Sequence, residues 1–186
     1  MTVPDTERLL SLIRGQRWYA GRHREAVGAS IVGSVPLGPP EQDTVAATIV
    51  KIAYATGDPE LYFAPGLTRT DEEVTGALWH ALVAPPPGLQ ATMLESVPPR
   101  PTTMRPLTGE QSNSSVLVDD RWVVKTIRRL EQGTNPEVEI GAALRERGAT
   151  RVAPFVGALR ITVAGGEFDV MTVHRRMAGT DGFALA

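Results

Sequence analysis

The sequence predicts an α+β fold built in two modules. Three observations carry this prediction: short apolar or alternating segments separated by Gly-, Asp- and Pro-rich turns, segments of helical spacing with start and stop signals, and the proline cluster Pro98-Pro99-Arg100-Pro101 with Pro106 between them. Residues 1–97 are read as the first module, 98–106 as a stiff, extended connector and 107–186 as the second module.

The elements follow in order. Asp5 to Arg14 reads as a helix, with Leu9, Leu10, Leu12 and Ile13 on one side and Gly15 as a stop. The aromatic and basic segment Arg17-Trp18-Tyr19-Ala20-Gly21-Arg22 comes next, and Trp18 and Tyr19 are expected to close the local core rather than to dock a partner. From Val27 to Val35, the odd positions Val27, Ala29, Ile31 and Val35 alternate with small or polar neighbours, the pattern of a half-buried strand. Thr44 to Ala55 is apolar on both faces and is placed centrally in its sheet. The turn Thr56-Gly57-Asp58-Pro59 returns the chain into Leu61-Tyr62-Phe63 as an antiparallel meander. Thr70-Asp71-Glu72-Glu73 has capping-box spacing ahead of Val74, Ala77, Leu78, Ala81 and Leu82, and Pro85-Pro86-Pro87 ends that helix. Leu89 to Leu94 is one more strand of the first module.

In the second module, Val116-Leu117-Val118, the turn Asp119-Asp120 and Trp122 to Ile127 form a hairpin. Asn135 caps a helix with Pro136 in its first position, running to Arg147 before Gly148. Strands at Phe155 to Val163 and Glu167 to Val173 meet at Ala164-Gly165-Gly166. The predicted order is strand, strand, helix, strand, strand.

Composition excludes several functions. The 186 residues contain no Cys, which removes disulfides, thiolate metal sites and a cysteine nucleophile. A formal charge of −2 without a basic stripe argues against a nucleic-acid footprint, and 42% hydrophobic residues argue against disorder. No apolar run is long enough to span a membrane, and Asp5 and Glu7 stand where a signal peptide would be basic and then apolar, so a cytoplasmic location is expected. His23, His80 and His174 are too scattered to suggest a metal site. No serine has the strand–turn–helix setting of a nucleophile elbow.

Only Lys51 and Lys125 are lysines. Lys125 shares its strand face with Val123 and Ile127, where an ammonium is costly unless a carboxylate or a phosphate meets it. Glu137 and Glu139 lie in the first turns of the following helix, and Glu139, on the face of Ala143, is the better candidate to look inward. Upstream, Gly109 to Ser115 is a run of small polar residues able to aim N–H groups and hydroxyls at a phosphate. Loop, strand Lys and helix Glu together are the parts with which kinase N-terminal lobes hold ATP. The plain alternatives are a snorkelling lysine, as Lys51 also suggests, a simple hairpin turn, and acids that favour the helix dipole.

The segment Gly109-Glu110-Gln111-Ser112-Asn113-Ser114-Ser115, with Trp122 to Lys125, Arg128 to Gly133 and Asn135-Pro136-Glu137-Val138-Glu139, resembles the nucleotide-binding lobe of bacterial maltokinases. Thr180 to Leu185 resembles their post-hinge segment, and Arg17 to Arg22 the signature of their N-terminal cap. The resemblance implies a cap with a curved antiparallel sheet and helices, then a kinase N-lobe-like antiparallel sheet with one main helix. It implies further that Gln111, Ser112, Asn113, Ser114 and Ser115 cover the phosphates of ATP, that Lys125 binds them, and that Glu139 holds Lys125. His174-Arg175-Arg176-Met177 is the implied hinge, with Arg175 standing where the family has an acidic residue.

Of the aspartates after Lys125, Asp169 and Asp181, neither has the context of a catalytic or metal-binding aspartate. No catalytic residues and no metal ligands are therefore assigned, and Mg²⁺ is not expected without a catalytic lobe. Three functions fit. The chain is a non-catalytic binding or regulatory module linked to α-glucan or trehalose metabolism, the nucleotide-binding half of a kinase for maltose or an amino sugar completed by a further catalytic lobe, or a structural interaction module that binds no nucleotide. The expected partners are such a catalytic lobe or an enzyme of glycogen or trehalose metabolism.

Overall fold

A computed structural model describes residues 6–38, 45–107 and 112–179. The first part comprises α1 (Thr6–Arg14), a 3₁₀ turn at Ala20–His23, β1 (Ala26–Pro36), β2 (Ala46–Tyr54), β3 (Glu60–Phe63), α2 (Asp71–Val83) and β4 (Leu89–Met93). After it come β5 (Met104–Pro106), β6 (Ser114–Val118), β7 (Trp122–Thr126), β8 (Arg129–Leu130), α3 (Pro136–Glu146), β9 (Phe155–Val163) and β10 (Gly166–Arg175). The strands build two antiparallel sheets, ordered β1-β2-β3-β8 and β4-β9-β10-β7-β6-β5, so the α+β expectation holds.

Local chemistry accounts for most of these boundaries. At α2 the Thr70 hydroxyl accepts from the Glu73 N–H while the Glu73 carboxylate accepts from the Thr70 N–H, the reciprocal cap that the spacing predicts. Asp119 and Asp120 both adopt positive φ (48° and 53°) in the tight turn between β6 and β7, where the Arg121 N–H donates to the Val118 carbonyl at 3.0 Å and pairing closes at Val118 and Trp122. Trp18 and Tyr19 are buried against the Tyr62 ring, closing the core between α1 and the outer face of the first sheet.

Three features differ from the sequence expectation. In β1 the inward positions are Ala26 and Ala29, and Val27 is 59% exposed. Register shifts between Ala26 and Gly28 and between Ile31 and Gly33 break the strict alternation on which the prediction rested. β4, expected in the first module, pairs with β9 and forms an edge of the second sheet. Conversely, Arg129 and Leu130 leave the second module and pair with β3 as the two-residue β8. The connector also ends in a strand, β5, paired to β6.

One core therefore crosses the connector. Leu78, Trp79 and Leu82 of α2 pack with Ile49 and Phe63 of the first sheet and with Val116, Val124 and Leu159 of the second. Trp79 lies edge-on to Trp122, and its Nε1–H donates to the Pro98 carbonyl at 2.8 Å, fastening the proline segment to the helix. Because side chains alternate along β7, Trp122 and Val124 face α2, and Val123 and Lys125 face α3 on the opposite side of the sheet.

Candidate functional site

The site grows from one row of the second sheet. Ser115 and Thr172 are the direct cross-strand neighbours of Lys125, one on each side. Above this row α3 begins at Asn135, whose side-chain oxygen accepts from the Glu137 N–H at 2.9 Å. The Asn135 N–H in turn donates to Asp169 of β10, whose carboxylate is gripped by Arg160 (Nε–Oδ1 2.8 Å). Asp169 is thus a buried anchor for the start of α3, a role no sequence pattern announced.

This anchoring brings Glu137 onto Lys125. Nζ and Oε2 are 2.6 Å apart, and the Thr172 hydroxyl donates to the other carboxylate oxygen at 3.3 Å. Lys125 and Glu137 keep 30% and 31% of their side-chain surface open to solvent, so the pair is held yet reachable. The expectation that Glu139 holds Lys125 is corrected: Glu139 is exposed. At 3.6 residues per turn, two positions are about 200° apart, so only one of these glutamates can face the sheet. The inward face is marked by Gly141, one turn after Glu137, where a Cβ would stand 2.9 Å from the Phe155 ring.

The polar run before β6 divides by function. Gln111 lies outside the described residues. Ser112 is exposed. Asn113 and Ser114, expected over the phosphates, turn instead to Arg128: Asn113 Oδ1 accepts its backbone N–H at 3.0 Å, and Ser114 Oγ accepts from Nε at 3.2 Å and Nη2 at 2.8 Å. Strand alternation explains the split, since Ser115 shares the face of Lys125 and Ser114 must point the other way. Arg128 is only 3% exposed; it also reaches Asp71 of α2 at 3.3 Å and lies over the Trp18 ring. Burial pulls its guanidinium down to about 10, with Asp71 opposing. Sequence reading missed this hub, and the signal was weak: an arginine directly after an apolar strand end.

At the other end of the site, β10 delivers His174 and Arg175. Burial pushes His174 below its ordinary value, with Glu137 pulling upward and Lys125 pushing down, while its ring stands edge-on to Phe155. Arg175, where an acidic residue was expected, is answered by Glu95, whose carboxylate lies 2.7 Å from Nε. Arg121 and Arg145 approach the same carboxylate at 3.7 Å, and this company, Arg175 foremost, holds Glu95 below the usual carboxylate range. Between α3 and the ends of β9 and β10 opens a largely apolar cavity of about 370 Å³, with Ile140, Leu144, Val152 and Phe155 in its wall and Glu137 and His174 at its polar end.

An ammonium has three N–H donors, and Glu137 takes one from Lys125. The remaining donors can be offered to phosphate oxygens on the open side, so the residues present fit a nucleotide phosphate. Among the described residues no cluster of three or more His, Asp or Glu side chains is arranged to hold a metal ion. None of the described helices is long and apolar enough to cross a membrane.

The family model of the maltokinase N-terminal cap domain matches residues 13–93. A glucosamine kinase in complex with glucosamine, ADP and inorganic phosphate superposes with a TM-score of 0.62 at 19% identity, over 96% of this chain and 42% of that one. A glucosamine kinase in another crystal form gives 0.61 at 18% identity, over 91% of this chain and 40% of that one. The chain therefore spans about two fifths of the length of the solved structures it matches. The chain shares the fold of these kinases, and residues 13–93 are similar to the maltokinase N-terminal cap domain.

Proposed function

We propose that this chain grips the phosphates of ATP through Lys125, as the cap and nucleotide-binding part of an ATP-dependent kinase of maltose or an amino sugar. The observation that carries the reading is the Lys125–Glu137 ion pair, backed by Thr172 and by the Asn135–Asp169–Arg160 chain that fixes the start of α3. Glu137 fixes the direction of the ammonium, so little ordering remains when a phosphate arrives. ATP supplies the transferable phosphoryl group. Lys125 contributes charge and orientation, and Ser115 beside it adds a small polar neighbour on the same face. Positioning of the acceptor hydroxyl and of Mg²⁺ falls to a catalytic lobe, which we take to be the principal partner, in the cytoplasm.

The test is the thermal midpoint of the protein with ATP and Mg²⁺. Saturable stabilisation is expected, because a ligand that binds only the folded state raises stability as RT ln(1 + [L]/Kd). Lys125→Ala should abolish the rise. No shift at millimolar ATP would sink the nucleotide reading.

A second reading, a binding or regulatory module of α-glucan or trehalose metabolism that uses the fold without transfer, is favoured by one observation. Asn113 and Ser114 are engaged with Arg128 rather than presented over Lys125. Under it the ATP titration is flat, and association with an enzyme of that metabolism is the property to measure.

A further inference from the structure

Several arginines of the described chain are answered by carboxylates: Arg121, Arg145 and Arg175 by Glu95, Arg160 by Asp169, Arg176 by Asp120. Arg14 and Arg22 are held differently. Arg14 Nη2 donates to the Ala26 carbonyl at 2.7 Å, and Arg22 Nη2 donates to the carbonyls of Gln16 at 2.7 Å and Arg17 at 2.9 Å. Among the described residues neither has a carboxylate within ion-pair distance. Arg24 donates to the carbonyls of Thr56 and Asp58, and its carboxylate partner Glu60 is shared with Arg129. All three guanidinium groups line one cavity of about 230 Å³, completed by Tyr19 and Gly21, with no acidic side chain in its wall.

We propose that this cavity in the cap is an oxyanion site that takes the phosphate group of a small phosphorylated molecule. A guanidinium positioned by a neutral carbonyl is fixed in direction but keeps its full charge, as Arg14 and Arg22 do, and Arg24, which shares Glu60 with Arg129, adds a third partly compensated charge to the same small space. Phosphate suits them, because its oxygens accept the paired N–H groups of an arginine fork. The space is built rather than incidental. A Cβ at Gly21 would collide with the Tyr54 hydroxyl and stand 2.6 Å from the Tyr19 oxygen, so phenols close the floor and position 21 has room for glycine alone. Its volume equals that of about eight liquid waters, room for a phosphate and a few attached atoms but not for a second protein segment. Arg14 and Arg22 are exposed, which leaves the entrance open. The site is independent of Lys125, which belongs to the other sheet.

The experiment is calorimetric titration of the intact protein with sodium phosphate, against sodium chloride at matched ionic strength so that general screening cancels. Arg22→Gln is the main variant, because Arg22 bonds only to loop carbonyls; Arg22→Lys, which keeps the charge but loses the fork, replaces it if Arg22→Gln fails to fold. Saturable phosphate binding is expected in the native protein and in Lys125→Ala, weakened at least about tenfold in Arg22→Gln and measurably in Arg22→Lys. The proposal is overturned by an absence of saturable binding, by unchanged binding in the folded Arg22 variant, or by loss of binding in Lys125→Ala. The last result would place the anion at the nucleotide site instead, and the ATP titration separates failure of that site from failure of this one.

Discussion

At the scale of single residues, the difference between Glu137 and Glu139 decides the candidate site. Both are visible in the sequence as acids in the first turn of a capped helix, and spacing ranks them in the wrong order, because the inward face of α3 is set by a close approach at Gly141 rather than by buried apolar residues. The ranking has a direct consequence. Glu137→Ala should weaken ATP-dependent stabilisation about tenfold or more, since the freed ammonium loses its orienting partner, whereas Glu139→Ala should leave it unchanged; parallel ATP titrations of the two variants read this difference. Arg128 carries a second prediction at this scale. Replacing it by Met leaves Ser114 and Asp71 without their donor in a closed site, with an expected loss of about 2–3 kcal/mol in urea unfolding, part of the full buried-pair penalty because Asp71 remains partly solvated.

Elements whose signals are local were legible, and those whose partners lie far along the chain were not. The α2 capping box, the Asp119-Asp120 hairpin and the Asn135–Pro136 start of α3 all depend on residues within four positions of one another, and all three form as read. The pairing of β4 with β9 and of β8 with β3 depends on contacts across dozens of residues, and two-residue β8 carries no strand pattern at all. Thr70→Ala removes one half of the reciprocal cap and should lower stability by about 1 kcal/mol, measured by urea unfolding, without altering phosphate or ATP binding. The first sheet carries a pH signature. Glu60 accepts from the hydroxyls of Tyr54 and Tyr62 at 2.7 and 2.6 Å and meets Arg24 and Arg129, and although burial alone would raise its pKa, those partners hold it below the ordinary value. A depressed carboxylate contributes stability above the unfolded pKa that fades as pH falls through the folded one. Burial and Glu60 push the Tyr62 phenol up to about 12, so its contribution is complete below the unfolded value near 10 and is lost as pH rises toward 12. Unfolding midpoints measured across pH should fall at both ends, and Glu60→Gln should flatten the acid limb.

For the whole molecule, the proline connector divides the sequence more clearly than it divides the structure. Composition marks residues 98–106 as a break, but hydrophobic cores form wherever apolar faces meet, and α2 is apolar toward both sheets. Electrostatics repeats the pattern on the surface. Glu95, just after β4, collects Arg121 beside the β6–β7 turn, Arg145 of α3 and Arg175 at the end of β10, so one carboxylate ties four parts of the chain together. Removing that charge leaves three arginines facing one another. Glu95→Gln should therefore cost more than the loss of one exposed pair, about 1 kcal/mol or slightly above, and the cost should depend on salt. Raising the ionic strength from about 0.1 M to about 1 M shortens the Debye length from about 10 Å to about 3 Å and screens the uncovered repulsion, so urea midpoints of the variant and the native protein should converge. A deficit that stays constant with salt would mean that Glu95 acts through its hydrogen bonds to Arg175 rather than as the common counter-charge.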